Sequence, residues 1–317
     1  MTDASSSSRP PYDPSIEMAV QDKPGQDKPG QENAGRRSAL RRFGLGAGIA
    51  AVAAAGVAVN AEPAAAATLT DPEILNFALN LEYLEAEFYL RAFLGTGLQS
   101  SDVAGVGVQG SVTGGSAVPF QSEAIAQYAQ TLAVDELTHV RFLRTSLGAA
   151  AVAEPSIDLD TSFTTLAVAA GLIQSGQTFN PFADEISFLI GAYIFEDVGV
   201  TAYAGAARYI TDPDYLEAAG AILAVEAYHG GAIRTLLADI GGGQVANAIS
   251  ALRAQLSGVQ DDMGIIIPGN NYNFASADIN ALAFRRTPAQ VLNIVYGGGP
   301  AGTGGLFFPT GMNGTLR

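Results

Sequence analysis

The chain has 317 residues, 48% of them hydrophobic and 15% charged, with a net charge of −15. That apolar content excludes a wholly disordered chain, and the acidity excludes an electrostatic nucleic-acid binder, which needs a basic face to displace counterions. There is no cysteine, so disulfide frameworks, thiolate metal sites and cysteine nucleophiles are ruled out, and any imidazole chemistry must use His139 and His229.

Residues 1–35 are polar and rich in Pro, Gly and Ser, with a near-repeat around Asp22-Lys23-Pro24-Gly25 and Asp27-Lys28-Pro29-Gly30. Such a segment buries too little apolar area to offset its ordering entropy, which predicts disorder. Arg36-Arg37-Ser38-Ala39-Leu40-Arg41-Arg42-Phe43 then precedes an uncharged Ala/Gly/Val run from Gly44 to Val59, with small residues at Ala61 and Ala64–Ala67. A basic stretch, a short apolar run and a small-residue cleavage site read as a signal peptide over 36–67, and the paired arginines resemble a twin-arginine signal. The alternative is a membrane anchor. The run of about 16 small residues falls short of the ~20 a span needs, so no stable membrane span is expected after processing. Seven acidic and seven basic residues cancel within 1–67, which assigns the acidic excess to residues 68–317. The expected location is periplasmic or extracellular.

From Thr70-Asp71-Pro72-Glu73 a first helix is predicted to about Leu94, with a polar cap, Pro in the first turn and acids at the positive dipole end. Ile74, Leu75, Ala78, Leu81, Leu84 and Phe88 continue it at helical period. Gly95–Pro119 has no period and reads as a long loop. A second helix is predicted over Ser122–Leu147, closed by Gly148. The connection Ala149–Pro181 follows, with a short helix at Ser162–Ile173. The third long helix spans Ala183–Ile210, and the fourth starts at Thr211-Asp212-Pro213 and stops before Gly241-Gly242-Gly243. A further helix lies near Val245–Leu256. The remainder is Gly/Pro/Asn-rich, with one short helix opened by Thr287-Pro288. No convincing strand pair is predicted. Four long helices with a crossover between the second and third describe an all-α four-helix bundle over 68–257, with an irregular extension over 258–317 packing on it.

Both histidines sit in one pattern. Helix two carries Glu136-Leu137-Thr138-His139 and helix four carries Glu226-Ala227-Tyr228-His229. Three residues place Glu and His on adjacent turns of one helix face, where they can share a metal ion. Helices one and three share another spacing: Glu82 with Tyr89, and Glu196 with Tyr203. Seven residues return to nearly the same azimuth, so each pair lies on one stripe. A Glu from each of two helices plus Glu-x-x-His from each of the other two is a dinuclear carboxylate ligand set. The oxygen-rich donors with two imidazoles suit two Fe or Mn ions. The competing reading for a lone Glu-x-x-His is a solvated i,i+3 pair. Here both lie among core residues such as Leu132, Val140 and Ile222, and burying four carboxylates without a cation would cost several kcal/mol each.

Glu85 reads as an extra ligand or an inward acid, and Glu87 as a solvated residue of another face. Asp135 and Asp197 each neighbour a proposed ligand and either accept a bond from a ligating imidazole or cap a surface. Val225 stands where the repeat would place a counterpart of Asp135. Tyr89 and Tyr203 are the candidate catalytic residues, with core packing as the competing role; Tyr83 and Tyr228 read as packing.

Leu79-Asn80-Leu81-Glu82-Tyr83-Leu84-Glu85-Ala86-Glu87-Phe88-Tyr89 resembles the opening helix of the ferritin-like superfamily. More narrowly it is similar to the branch of bacterial ferritin-like-domain proteins and plant desiccation-related proteins. Phe179-Asn180-Pro181-Phe182, Arg286-Thr287-Pro288-Ala289-Gln290-Val291-Leu292 and Gly305-Leu306-Phe307-Phe308-Pro309-Thr310-Gly311 support it, so that the resemblance covers residues 70–317. It implies a bundle wrapped by the C-terminal extension and carries the metal positions onto Glu82, Glu136, His139, Glu196, Glu226 and His229. The resemblance implies no single reaction; the dinuclear ligand set itself leads to the expectation of a redox protein using O2 or peroxide as oxidase, ferroxidase or catalase-like scavenger. The alternatives are a non-catalytic desiccation or stress protein whose metal is structural or absent, and an iron store. Storage needs a closed shell of many subunits, which the Gly-rich insertion and irregular tail disfavour. Beyond O2 or peroxide, the partner considered is a second copy in a homo-oligomer.

Overall fold

The computed structural model describes residues 69–299 and 301–317. The expected disordered segment over 1–35 and signal over 36–67 lie outside the described residues.

Helix α1 spans Asp71–Leu94. The Thr70 N–H donates to the Glu73 carboxylate at 2.9 Å, and Gly95 ends the helix at φ 83°, a conformation that costs glycine nothing. Helix α2 spans Glu123–Leu147, and the Ser122 hydroxyl accepts the Ile125 N–H. Helix α3, Thr161–Ala169, lies in the crossover. Helix α4 spans Glu185–Ala206, with the Asp184 carboxylate accepting the Ser187 N–H at 2.8 Å. Helix α5, Pro213–Asp239, opens on an Asp212 cap with Pro213 in its first turn. Helix α6 spans Gly243–Ser257, and α7 spans Pro288–Val295 behind a Thr287–Gln290 capping box.

The first long pair is α1 along α2, the second is α4 along α5, and α1 also meets α4. Helix α4 is apolar on every side because it is buried on every side. The stretch Glu185–Tyr209 is long and apolar enough to cross a bilayer, yet it lies inside the bundle. Phe88 of α1 centres an aromatic cluster with Phe163, Phe182, Phe188 and Phe195. Phe307 of the tail joins it against Phe163 and Phe195.

Two loops hold more structure than their composition predicts. The segment expected to be an unstructured loop over Gly95–Pro119 has a helical turn at Ser100–Val103 and a strand β1 at Val112–Gly114. It pairs in parallel with β2, Ile157–Leu159, in the crossover. A further pair, β3 (Ile266–Ile267) and β4 (Asn271–Tyr272), is antiparallel. Three-residue strands are too short to show an alternation, so the sequence carries no signal for them.

Buried ion pairs fasten the C-terminal segment. Arg286, fully buried, donates to both Asp261 carboxylate oxygens (3.0 and 2.8 Å), to Asp262 at 2.9 Å and to the Thr201 hydroxyl of α4 at 3.0 Å. Arg253 joins Asp262 to Asp197, which Arg234 also binds through both oxygens. At the other end of the tail, Asn313 exchanges hydrogen bonds with Asn80 of α1 and donates to Val108 and Ala153 carbonyls. Removing one member of such a network leaves a buried charge without compensation. Arg286→Ala is therefore expected to lose about 3–5 kcal/mol of stability, read from the urea midpoint; a change within experimental error would show the network to be dispensable.

Candidate metal centre

The six carboxylate and imidazole residues expected from sequence converge in the middle of the bundle, and all are buried. Glu82 comes from α1, Glu136 and His139 from α2, Glu196 from α4, and Glu226 and His229 from α5. Their donor atoms fall into two groups: Glu82, Glu136, His139 and Glu226, and then Glu136, Glu196 and His229, with the atoms of each group within 4.8 Å of one another.

Glu136 belongs to both. Its Oε2 lies 3.0 Å from His139 Nδ1 and its Oε1 lies 3.0 Å from His229 Nδ1. His139 Nδ1 also faces Glu82 Oε2 at 3.3 Å and Glu226 Oε1 at 3.6 Å. His229 Nδ1 faces Glu196 Oε2 at 3.4 Å. The imidazole rings stand 6.5 Å apart, centroid to centroid.

The orphaned atoms test whether a metal fits. Among the described residues, eight buried side-chain oxygens or nitrogens have no hydrogen-bond partner, and six belong to this site: Glu82 Oε2, Glu136 Oε1, Glu196 Oε2, both oxygens of Glu226 and His229 Nδ1. Glu136 Oε1 and His229 Nδ1 are only 3.0 Å apart, yet not aligned as donor and acceptor. Two donors about 2.1 Å from one ion and at right angles to each other are separated by about 3.0 Å. Buried polar groups are otherwise almost always bonded, so a set of orphans aimed at common points is the mark of a cation site. The donors fit a metal pair.

Electrostatics agree. Burial pushes Glu82 up to about 7 despite the His139 charge that opposes it, and raises Glu226 and Glu85 well above the usual carboxylate range. Burial works against a charged His139, but the Glu136 and Glu82 carboxylates outweigh it and push the imidazole up to about 12. Without a cation the cluster must collect protons to offset its own charge.

Both tyrosines lie at the site, but not beside the glutamates of their own helices. The Tyr89 hydroxyl of α1 donates to Glu196 Oε1 of α4, and the Tyr203 hydroxyl of α4 donates to Glu82 Oε1 of α1. The pairs cross between helices with two-fold regularity and leave the second oxygen of each carboxylate for the centre. Burial, then the adjoining carboxylate, raises both phenols well above their ordinary value, so both remain protonated donors.

The alignment of residues 70–239 with the model of the ferritin-like domain decides the family. The chain belongs to the ferritin-like family. A ferritin-like catalase, Nec2, of Nesocodon mauritianus is 30% identical over 270 residues, covering 78% of this chain and 84% of the relative. The desiccation-related protein PCC13-62 of Craterostigma plantagineum is 32% identical over 250 residues, covering 70% and 76%. No solved structure matches at a significant level.

The remaining candidates of the ferritin-like chain divide as follows. Asp135 bonds the outer nitrogen of an imidazole, its Oδ2 lying 3.1 Å from His229 Nε2. Asp197 does not; it serves the arginine network. Glu85 is a buried acid facing inward but outside both donor groups. Glu87, expected to be solvated, is buried: it accepts from Arg91 at 2.5 Å and from the Leu98 N–H at 2.7 Å, because the insertion after α1 folds over it. Tyr83 is buried, bonded to the Val152 carbonyl at 3.0 Å and to Arg144. Tyr228, expected to pack, is 76% exposed. Gly199 was missed by sequence reasoning: a Cβ there would lie 2.4 Å from Glu226 Oε2, so glycine is what admits this carboxylate between α4 and α5.

Proposed function

We propose that the chain binds two Fe or Mn ions through Glu82, Glu136, His139, Glu196, Glu226 and His229, and that the centre reacts with peroxide or O2. The observation that carries the reading is Glu136, whose two oxygens each face a different imidazole within a set of orphaned donors. A pair of Fe or Mn ions, when bound, would supply a two-electron change to an O–O bond. The relative named as a ferritin-like catalase favours peroxide of the two oxidants. The chain's own part is to hold the donors rigidly on four helices, to fix Glu82 and Glu196 through the crossed tyrosine bonds, and to exclude bulk water with the packed core around Phe88 and Phe195.

Reconstitution of the full chain with Fe(II) or with Mn(II), followed by peroxide consumption and O2 release, tests this. Turnover with at least one metal is expected. A loaded protein inert to peroxide and O2 with both metals would favour the second reading, a non-catalytic protein whose metal is structural; the other relative is named only as desiccation-related. Tyr89→Phe and Tyr203→Phe are expected to retain both ions while changing the rate of oxidation by Fe(II) stopped-flow absorbance; unchanged rates would confine the phenols to packing.

The reading extends to location. The Arg36-Arg37 stretch supports export by the twin-arginine route, which carries folded cargo. Replacing both arginines by lysine is expected to leave the precursor inside the cell, and unchanged export would point to another signal.

A further inference from the structure

The two-fold repeat of the centre is broken in two places, and both breaks concern the same end of it. The first lies in the donors. The group around His139 has three carboxylates, Glu82, Glu136 and Glu226, whereas the group around His229 has two, Glu136 and Glu196. The bias comes from Glu226, whose Oε1 faces His139 Nδ1 at 3.6 Å while its Oε2 turns toward the space left by Gly199. With the Glu136 charge divided between the groups, the His229 end is one carboxylate poorer.

The second break lies behind the imidazoles. His229 Nε2 is 3.1 Å from Asp135 Oδ2, which reaches across from α2 to α5. Among the described residues no group bonds His139 Nε2, and the repeat puts Val225 where a counterpart of Asp135 would stand. A carboxylate behind an imidazole fixes the ring and its tautomer and makes the inner nitrogen a stronger donor. Asp135 thus returns, through the ring, the negative charge that the His229 end lacks among its direct donors.

We propose that the two metal positions are inequivalent, and that Asp135 is the positioning residue that holds the ion at His229 while the ion at His139 does without such support. The inference rests on the dinuclear reading above. The position with three carboxylates and His139 fills first, and the position with Glu136, Glu196 and His229 fills second. Loss of an outer carboxylate of this kind typically weakens metal binding about 10–100-fold. Here the loss falls on one ion only.

Asp135 has a side chain 36% exposed, so Asp135→Asn leaves the core packing untouched. Calorimetric titration of the metal-free full chain with Mn(II) is expected to show two binding steps in the wild type. In Asp135→Asn the second step weakens about 10–100-fold while the first is unchanged, and anomalous X-ray scattering from the variant at limiting Mn(II) places the retained ion beside His139. Equal weakening of both steps, no weakening of either, or a retained ion beside His229 would overturn the inference while leaving the dinuclear reading intact. A wild type that takes up no Mn(II) or Fe(II) would overturn that reading itself.

Discussion

Glu136→Ala is expected to abolish binding of both ions, whereas His139→Ala retains one. The difference follows from geometry: Glu136 is common to both donor groups, and His139 belongs to one. Without Glu136 each donor group loses a carboxylate, and the two ions would lose the one negative charge common to both groups. Outer carboxylates alone are worth about 10–100-fold in affinity, so removing the shared inner one is expected to cost more than about 100-fold at each position. Helix content should be preserved, because Glu136 Oε1 has no hydrogen bond to lose and the bond lost at Oε2 is a side-chain bond to His139, not one of the helix backbone. Elemental analysis after dialysis, with circular dichroism as the folding control, checks both variants. A Glu136→Ala protein that keeps two ions would remove the proposed centre.

The second large effect is a divergence of metal-free and metal-loaded stability with pH. In the metal-free protein Glu82 is raised from its ordinary 4.5 to about 7, by burial above all. A group raised on folding contributes stability in full below its unfolded value and loses it as pH climbs through its folded value. For Glu82 that window runs from 4.5 to about 7. For His139, raised from 6.5 to about 12 by Glu136 and Glu82 against the opposing effect of burial, it opens at 6.5 and extends to about 12. Metal-free stability should thus fall steadily between pH 5 and pH 8. Metal binding requires ionised carboxylates and neutral imidazoles, so affinity rises over the same interval. Each ion at 100–1,000 times its dissociation constant stabilises by about 2.7–4.1 kcal/mol, which for a domain of this size is a rise of about 5–15 °C in Tm. Glu154, also raised by burial, to about 8, lies outside both donor groups and cancels in the comparison. Calorimetric melting with and without Mn(II) should show the gap widening with pH; a constant or narrowing gap would contradict the assignment.

Much of the site was legible because it is written along single helices. Glu-x-x-His occurs twice, and three residues on a helix can face only one way, so the ligand pattern follows from spacing once the helices are granted. Thr70, Ser122, Asp212 and Thr287 place helix starts for a similarly local reason, through caps that involve residues two or three apart. What stayed hidden depends on how helices align with one another. Glu82 and Tyr89 do share a stripe, but the offset between α1 and α4 decides that Tyr89 meets Glu196 instead. Glu87 looked solvated because nothing near it in sequence announces that Leu98 will close over it. The Arg234, Arg253 and Arg286 network joins residues far apart in the chain, and charged residues of this kind are indistinguishable in sequence from surface ones until the tail has docked. Asp135 and Val225 show the intermediate case: the repeat exposed the asymmetry, and the structure chose the imidazole it serves.

The dinuclear centre is tested by the metal content of the full chain, purified without chelator, stripped, and reconstituted under anaerobic conditions with Fe(II) or Mn(II). About two ions per chain are expected with at least one of these metals, with anomalous scattering from both positions flanking Glu136. Retention of less than one ion per chain with both metals, in a protein that remains folded, would contradict the dinuclear centre.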